Sequence, residues 1–289
     1  MAPVQPLDLD ALERIPPLPQ ILTQLLASVR RPEPDVAEID DIVRQEPLLA
    51  ARLLRVANSA AYATRVPART TREALVRLGI DEVGRLAVLV TASQALPVPR
   101  RDYQRFWQHS LGVARTAEAV ARRCSALSAA GDADALFLAG LFHDVGEVAL
   151  AGYRPAAFEQ VRQLTAAQGV RQFEAELTIF GLDHGEVGAH IAEGWRLPPF
   201  VAGALRGHHR VERAPEDAWW PSAVISLADW LFSQEAFGDL TERQRIRLEP
   251  GTWSLLGLSG LGLDYAECVE LAADVAETAR QTAALIATL

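Results

Sequence analysis

The sequence predicts an all-α protein: a two-lobed, multi-helix bundle followed by an extra C-terminal helix. Three observations carry this. Helix-start signals recur along the chain, no segment sustains period-two alternation, and no Asn-Gly or Asp-Gly hairpin stands between apolar runs. Pro47 suits the first turn of a helix through Leu49, Leu53, Leu54 and Ala57, with Asn58 as a left-handed stop. Thr70 to Glu73 forms a T-x-x-E capping box that opens a segment with Ala74, Leu75 and Leu78 on one face. Leu86 to Val90 is the richest apolar run; alone it would pass for a buried strand, but its flanks are helical.

Pro97-Val98-Pro99-Arg100-Arg101-Asp102 breaks the pattern and reads as a linker. Further breaks cover Arg213 to Pro221 and surround Glu249-Pro250-Gly251. The expected organisation is an N-terminal helical lobe over 1–98, a second helical lobe over 99–235 and a helical extension over 236–289. Thr241 to Gln244 and Asp264 to Glu267 are start signals inside that extension. Asp264 to Leu289 reads as one Ala-rich helix, with Tyr265, Cys268, Leu271, Ala272 and Val275 on a stripe continued by Ala279, Ala283 and Ile286. That stripe either packs back onto its own N-terminal lobe or forms a homodimer or partner surface.

The net charge of −9 argues against general nucleic-acid binding, which depends on neutralising phosphates. Every basic side chain besides histidine is Arg and the only Asn is Asn58, the pattern of a GC-rich genome, so Arg content carries no functional message. Met1 to Asp10 has neither a basic start nor an apolar stretch, and no apolar run suffices to span a bilayer. A soluble, cytoplasmic protein without membrane association is expected. Cys124 and Cys268 lack C-x-x-C spacing and read as reduced thiols.

The informative residues are ionisable groups set inside apolar helical stretches. Asp229 lies within Ala223-Val224-Ile225-Ser226-Leu227-Ala228-Asp229-Trp230-Leu231-Phe232, where a carboxylate is costly unless paired, protonated or bound to a metal. Leu136 to Phe142 runs into His143-Asp144, with Gly146 as a helix stop. His109 follows Phe106-Trp107 and shares a face with Val113 and Thr116. His184 shares one with Val187, Gly188 and Ile191. His208 continues the stripe of Val201, Ala204 and Leu205 in a helix begun by Pro198-Pro199, and His209 adjoins it; His190 falls on the solvent side. A single inward His is ordinarily a hydrogen-bonded core residue, and a single Asp a cap or ion-pair partner. Taken together, each would need its own separate partner. Imidazole and carboxylate donors without thiolates suit Fe, Mn, Zn or Ni, one ion or two, and no organic cofactor is indicated.

The order His109, His143-Asp144, His184, His208-His209, Asp229 is similar to that of the HD superfamily of metal-dependent phosphohydrolases, with His143-Asp144 and Gly146 resembling its HD-x-G motif. The N-terminal half is more specific. Leu18-Pro19, Gln45-Glu46-Pro47-Leu48, Leu53-Leu54-Arg55-Val56-Ala57-Asn58-Ser59-Ala60 and Ala74-Leu75-Val76-Arg77-Leu78-Gly79 resemble the HDOD pattern. Phe180-Gly181-Leu182-Asp183-His184-Gly185-Glu186-Val187-Gly188-Ala189 and Trp195-Arg196-Leu197-Pro198 do so too. The resemblance spans roughly Leu12 to Phe232.

It implies a bacterial signalling module that binds a partner protein or a nucleotide, with a metal site that is structural or vestigial. The alternative is an active metal-dependent phosphohydrolase. There Asp144 would bridge the metals, His109, His143, His184, His208 and Asp229 would ligate them, and Arg206 or Arg210 would contact phosphate. Three departures favour the module, and no catalytic residue is assigned. Active cyclic-di-GMP phosphodiesterase relatives carry Lys three residues after the motif Asp, where Glu147 stands here and would repel a phosphodiester. Arg105 occupies the position at which trinuclear relatives use Glu. Arg210-Val211-Glu212 follows His208-His209 in place of a GYP motif.

Overall fold

Helix α1 spans Gln20–Val29, α2 Val36–Arg44, α3 Pro47–Ala57, α4 Thr71–Leu78 and α5 Ile80–Ala95, in a computed structural model of the chain. That structure describes residues 7, 19–29, 31, 33–59, 62, 64–96, 98, 100–123, 132–236, 274, 275, 281 and 286. The chain divides into two compact units, one of Met1–Ile15 with Arg105–Arg280, the other of Pro16–Gln104 with Gln281–Leu289. Among the described residues all regular structure is helical.

In the unit containing α1 to α5, α1 packs on α2 and α5, and α3 packs on α4 and α5. Leu22, Leu25, Ile39, Val43, Leu49, Leu53, Leu75 and Leu86 are buried there. Asp35 caps α2 by accepting the Ala37 amide at 2.8 Å. Pro47 opens α3, where its missing N–H costs nothing, and Thr70 accepts the Glu73 amide at 3.1 Å to cap α4. Glu73 reaches back to the Arg69 amide at 2.6 Å, one residue earlier than the usual reciprocal bond. Leu86 to Val90 lies inside α5, and all five residues are buried. A helix segment buried on every side gives the same unbroken apolar run as a buried strand, so length and flanks had to decide.

Asn58 corrects one expectation. Its backbone is not left-handed (φ −102°); its side chain does the work instead. It donates to the Ala68 carbonyl at 2.9 Å and accepts the Ala68 amide at 2.7 Å, a two-point clamp across the loop. Arg77 reinforces it with bonds to Asn58 Oδ1 and to the carbonyls of Ala57 and Val66.

Helix α6 spans Arg100–Arg123, so Arg100, Arg101 and Asp102 belong to a helix and not to the linker; an acid in the first turn complements the helix dipole. The unit boundary falls within α6. Beyond it come α7 (Asp132–Phe142), α8 (Val145–Tyr153), α9 (Pro155–Gln168), α10 (Gln172–Phe180), α11 (His184–Gly194), α12 (Pro199–Gly207) and α13 (Trp219–Ala236). The break expected over Arg213 to Pro221 begins at the end of one short 3-10 turn, Val211–Arg213, and contains another, Glu216–Ala218, and α13 begins before its end. Helix α11 packs against α8 and α12, and α12 against α7 and α13. Trp107, Phe137, Phe142, Phe180 and Phe232 fill the core.

Two glycines set close approaches. A Cβ on Gly140 of α7 would lie 2.6 Å from Ala114 Cα of α6, and one on Gly146 of α8 would lie 2.0 Å from the His184 carbonyl oxygen. Gly146 therefore does not stop a helix, as its position after His143-Asp144 suggested; it lies in the first turn of α8 and lets α11 touch it. Leu136–Tyr153 is apolar and long enough for a membrane span, yet it is 72% buried and is broken at His143-Asp144. Cys124, Cys268, the start signals at Thr241 and Asp264, and most of the stripe on Asp264 to Leu289 lie outside the described residues. Val275 and Ile286 of that stripe are helical and buried.

Candidate metal centre

Five segments bring their polar side chains to one point. His109 comes from the middle of α6, His143 and Asp144 from the bend joining α7 to α8, and His184 from the first residue of α11. His208 and His209 follow α12, and Asp229 comes from α13. His143, His184, His208 and Asp229 are buried, and His109, Asp144 and His209 nearly so. All seven candidate ligands meet here. His190 is half-buried and takes no part, so the sequence placed it too far out.

Asp144 is the hub. Its Oδ2 lies 3.0 Å from His143 Nε2 and 3.3 Å from His109 Nε2, which is also 3.2 Å from Asp229 Oδ1. Its Oδ1 faces the other side, 3.4 Å from His184 Nε2 and 3.8 Å from His208 Nε2. Two donor groups result, His109–His143–Asp144 and Asp144–His184–His208–His209, each within 4.8 Å and sharing Asp144. The set could hold a divalent cation, and its division over the two oxygens of Asp144 suits one ion or two.

The ring orientations are fixed from behind. His143 Nδ1 lies 2.8 Å from the Gly140 carbonyl, and His208 Nδ1 lies 2.6 Å from the Leu205 carbonyl. A carbonyl only accepts, so both Nδ1 atoms carry hydrogen and both Nε2 atoms turn to the centre, where a neutral ring offers its lone pair. His184 Nδ1 lies 2.6 Å from Glu176 Oε2. The Nε2 atoms then crowd: 3.1 Å for His109–His143, 3.2 Å for His184–His208 and 2.8 Å for His184–His209. Nitrogens on one ion at about 2.0–2.1 Å stand roughly 3 Å apart, so the spacing fits shared coordination.

Burial and neighbouring charges divide the donors into groups that keep a proton and groups that give it up. Burial opposes charge on His109, but its hydrogen bonds to Asp144 and Asp229 outweigh this and push it up to about 10. His184 is raised well above the ordinary histidine range: burial opposes, and Glu176 and Asp144 prevail. Burial, with the neighbouring His184 and His143, brings His208 down to about 4, and His209 is lowered as well by burial and His208. Asp144 and Asp229 stay well into the ionised range, because the surrounding histidines outweigh burial.

Glu147 lies in the first turn of α8. Burial, then repulsion from Asp144, raises its carboxyl to about 8. Arg206 is engaged with Glu186 and Glu193, both at 3.1 Å. Arg210 is engaged with Asp183 at 2.6 Å and lies over Phe173, on which His209 stacks at 4.8 Å. Both guanidiniums are thus committed to acids. Arg105 is exposed.

Glu176 is the residue the sequence reading missed. It is fully buried on α10 between Phe173 and Phe180, three residues before it and four after. The signal that marked Asp229, a carboxylate on an apolar helical face, was present at Glu176 too.

The fold and this centre define an HD-type helical domain. The HDOD domain family pattern matches residues 15–211, and the chain belongs to that family. The solved structure of an HDOD domain protein of unknown function from Geobacter sulfurreducens is 26% identical, with a TM-score of 0.73 over 93% of this chain and 95% of that one. A Shewanella amazonensis protein named as a candidate phosphohydrolase shares the fold, with 23% identity and a TM-score of 0.75 over 97% of each chain. An uncharacterised Treponema pallidum (strain Nichols) protein is 24% identical over 208 residues, 72% of this chain. The chain spans 40% of the length of that relative.

Proposed function

We propose that this chain is a cytoplasmic bacterial signalling domain that binds a divalent cation at the Asp144 centre and acts by binding a protein partner or a nucleotide, not by turnover. One observation carries the cation: His184 and His208 present Nε2 atoms 3.2 Å apart, with both Nδ1 atoms already committed behind them. Such a pair needs a positive charge between its lone pairs, a proton or a metal. His109, His143, Asp144, His184, His208, His209 and Asp229 would hold the ion, which when bound would neutralise the carboxylates and tie α6, α11, α12 and α13 to the α7–α8 bend.

The absence of turnover rests on the surroundings. Glu147, raised to about 8 and so mostly protonated near neutrality, does not repel a phosphate as the sequence suggests but supplies no cation for it either, and Arg206 and Arg210 already neutralise acids. The alternative, a metal-dependent phosphohydrolase, draws on the two donor groups around Asp144 and on the shared fold with candidate phosphohydrolases. Association through the stripe that the sequence places on Asp264 to Leu289 belongs to the partner-binding reading. The test is hydrolysis of cyclic dinucleotides and generic phosphodiesters by protein loaded with Mn²⁺ or Fe²⁺. Negligible turnover is expected; rates of about 1–1000 per second would establish the enzyme instead.

A further inference from the structure

We infer that Glu176, with Gln172 and Glu147 behind it, positions His184 and sets its strength as a cation ligand; this rests on the cation-binding reading above. Glu176 is fully buried and belongs to neither donor group around Asp144. A buried carboxylate is costly unless its oxygens are satisfied, and here both are. Oε2 accepts the His184 backbone amide at 2.8 Å and faces His184 Nδ1 at 2.6 Å. Oε1 accepts from Gln172 Nε2 at 2.9 Å.

The two bonds from Oε2 grip one residue by its backbone and its ring, which leaves the imidazole a single orientation with Nε2 towards Asp144. Glu176 also lies within ligand distance of Glu147 and His184. Its contacts nevertheless fit an outer partner better than a third ion site. Oε2 already takes the backbone N–H and lies at hydrogen-bond distance from Nδ1.

A carboxylate behind a ligating imidazole makes it a stronger donor than a carbonyl does. His143 and His208 are backed by the carbonyls of Gly140 and Leu205, whereas His184 is backed by Glu176. The centre is therefore asymmetric, with its strongest imidazole on the Asp144 Oδ1 side. Gln172 Nε2 also donates to Glu147 Oε1, so one amide joins the two carboxyls. Glu147 thus completes the support of His184.

Calorimetric titration of the metal-stripped full chain with Zn²⁺, and the visible absorption of its Co²⁺ form, test this. Glu176→Gln keeps the shape and removes the charge. It should weaken Zn²⁺ binding about 10- to 100-fold and change the Co²⁺ spectrum, while circular dichroism stays as in wild type. Glu176→Asp, which restores the charge, should recover part of the loss. Gln172→Leu, which cuts the link to Glu147 without touching His184, should give a smaller loss and serves if Glu176→Gln does not fold. Wild-type Zn²⁺ affinity and an unchanged Co²⁺ spectrum in a folded Glu176→Gln, or wild-type affinity in Gln172→Leu, would overturn the inference and leave cation binding intact. A wild type that binds no Zn²⁺ would overturn both.

Discussion

His184 and His208 stand with their Nε2 atoms 3.2 Å apart, each ring held from behind through Nδ1, one by Glu176 and the other by the Leu205 carbonyl. The two donors come from the start of α11 and the end of α12, helices that pack on each other, so their meeting is built into the packing. In the metal-free chain a proton on His184 resolves the opposition of the lone pairs. A cation would resolve it by displacing that proton.

Such an exchange would make cation uptake pH-dependent. His109 and His184 both hold raised pKa values in the metal-free chain, so binding near neutrality should release protons from these two rings. Affinity should rise with pH. Zn²⁺ titrations in buffers of different ionisation enthalpy measure the release; identical heats in all buffers would contradict it.

The same shifts fix the pH dependence of metal-free stability. The folded chain holds the His109 proton up to about 10 against an ordinary 6.5, so that contribution is complete below 6.5 and is lost as pH rises through 10. Glu147, raised to about 8 from 4.5, acts in the same direction between those values. The metal-free chain should therefore melt at progressively lower temperature from pH 6.5 to 10, and His109→Gln should flatten the upper part of that decline. A melting temperature that rises across this range would contradict the proton arrangement.

Much of this was legible in the sequence, and the parts that were not have physical reasons. The seven candidate ligands stand out because ionisable groups on apolar faces are costly, and the caps at Pro47 and Thr70 are local chemistry. Glu176 obeys the same rule, but it shares its short helix with Glu174, whose side chain pairs with Arg171, so the apolar context around it is less plain than that around Asp229. Gly146 stops no helix, and Asn58 ends α3 as the sequence suggests but without the expected left-handed backbone. What each does depends on a partner distant in sequence, the His184 carbonyl in one case and the Ala68 backbone in the other.

Gly146 and Gly152 lie on the same helix and should respond oppositely to alanine. A Cβ at position 146 would meet the His184 carbonyl, whereas one at position 152 meets nothing within 4 Å. Gly146→Ala should cost about 1–3 kcal/mol and weaken cation binding by displacing His184. Gly152→Ala should be neutral or stabilising by up to about 1 kcal/mol. Urea unfolding of the two variants checks this; equal effects would mean that α8 and α11 do not approach so closely.

Asn58→Ala should release the loop that Asn58 holds. The Ala68 amide and carbonyl each lose a partner, at a cost of about 1–3 kcal/mol, and cation affinity should not change. Faster hydrogen exchange at the Ala68 amide reports it. Unaltered exchange would contradict the clamp.

Metal content of the purified chain tests the central claim most directly. After dialysis against excess Mn²⁺, Fe²⁺ or Zn²⁺ and removal of free ion, elemental analysis should find one or two cations per chain, with His143→Ala and Asp144→Ala each lowering that content. A wild type holding well under one cation per chain would contradict the account and leave the seven residues as a hydrogen-bonded core.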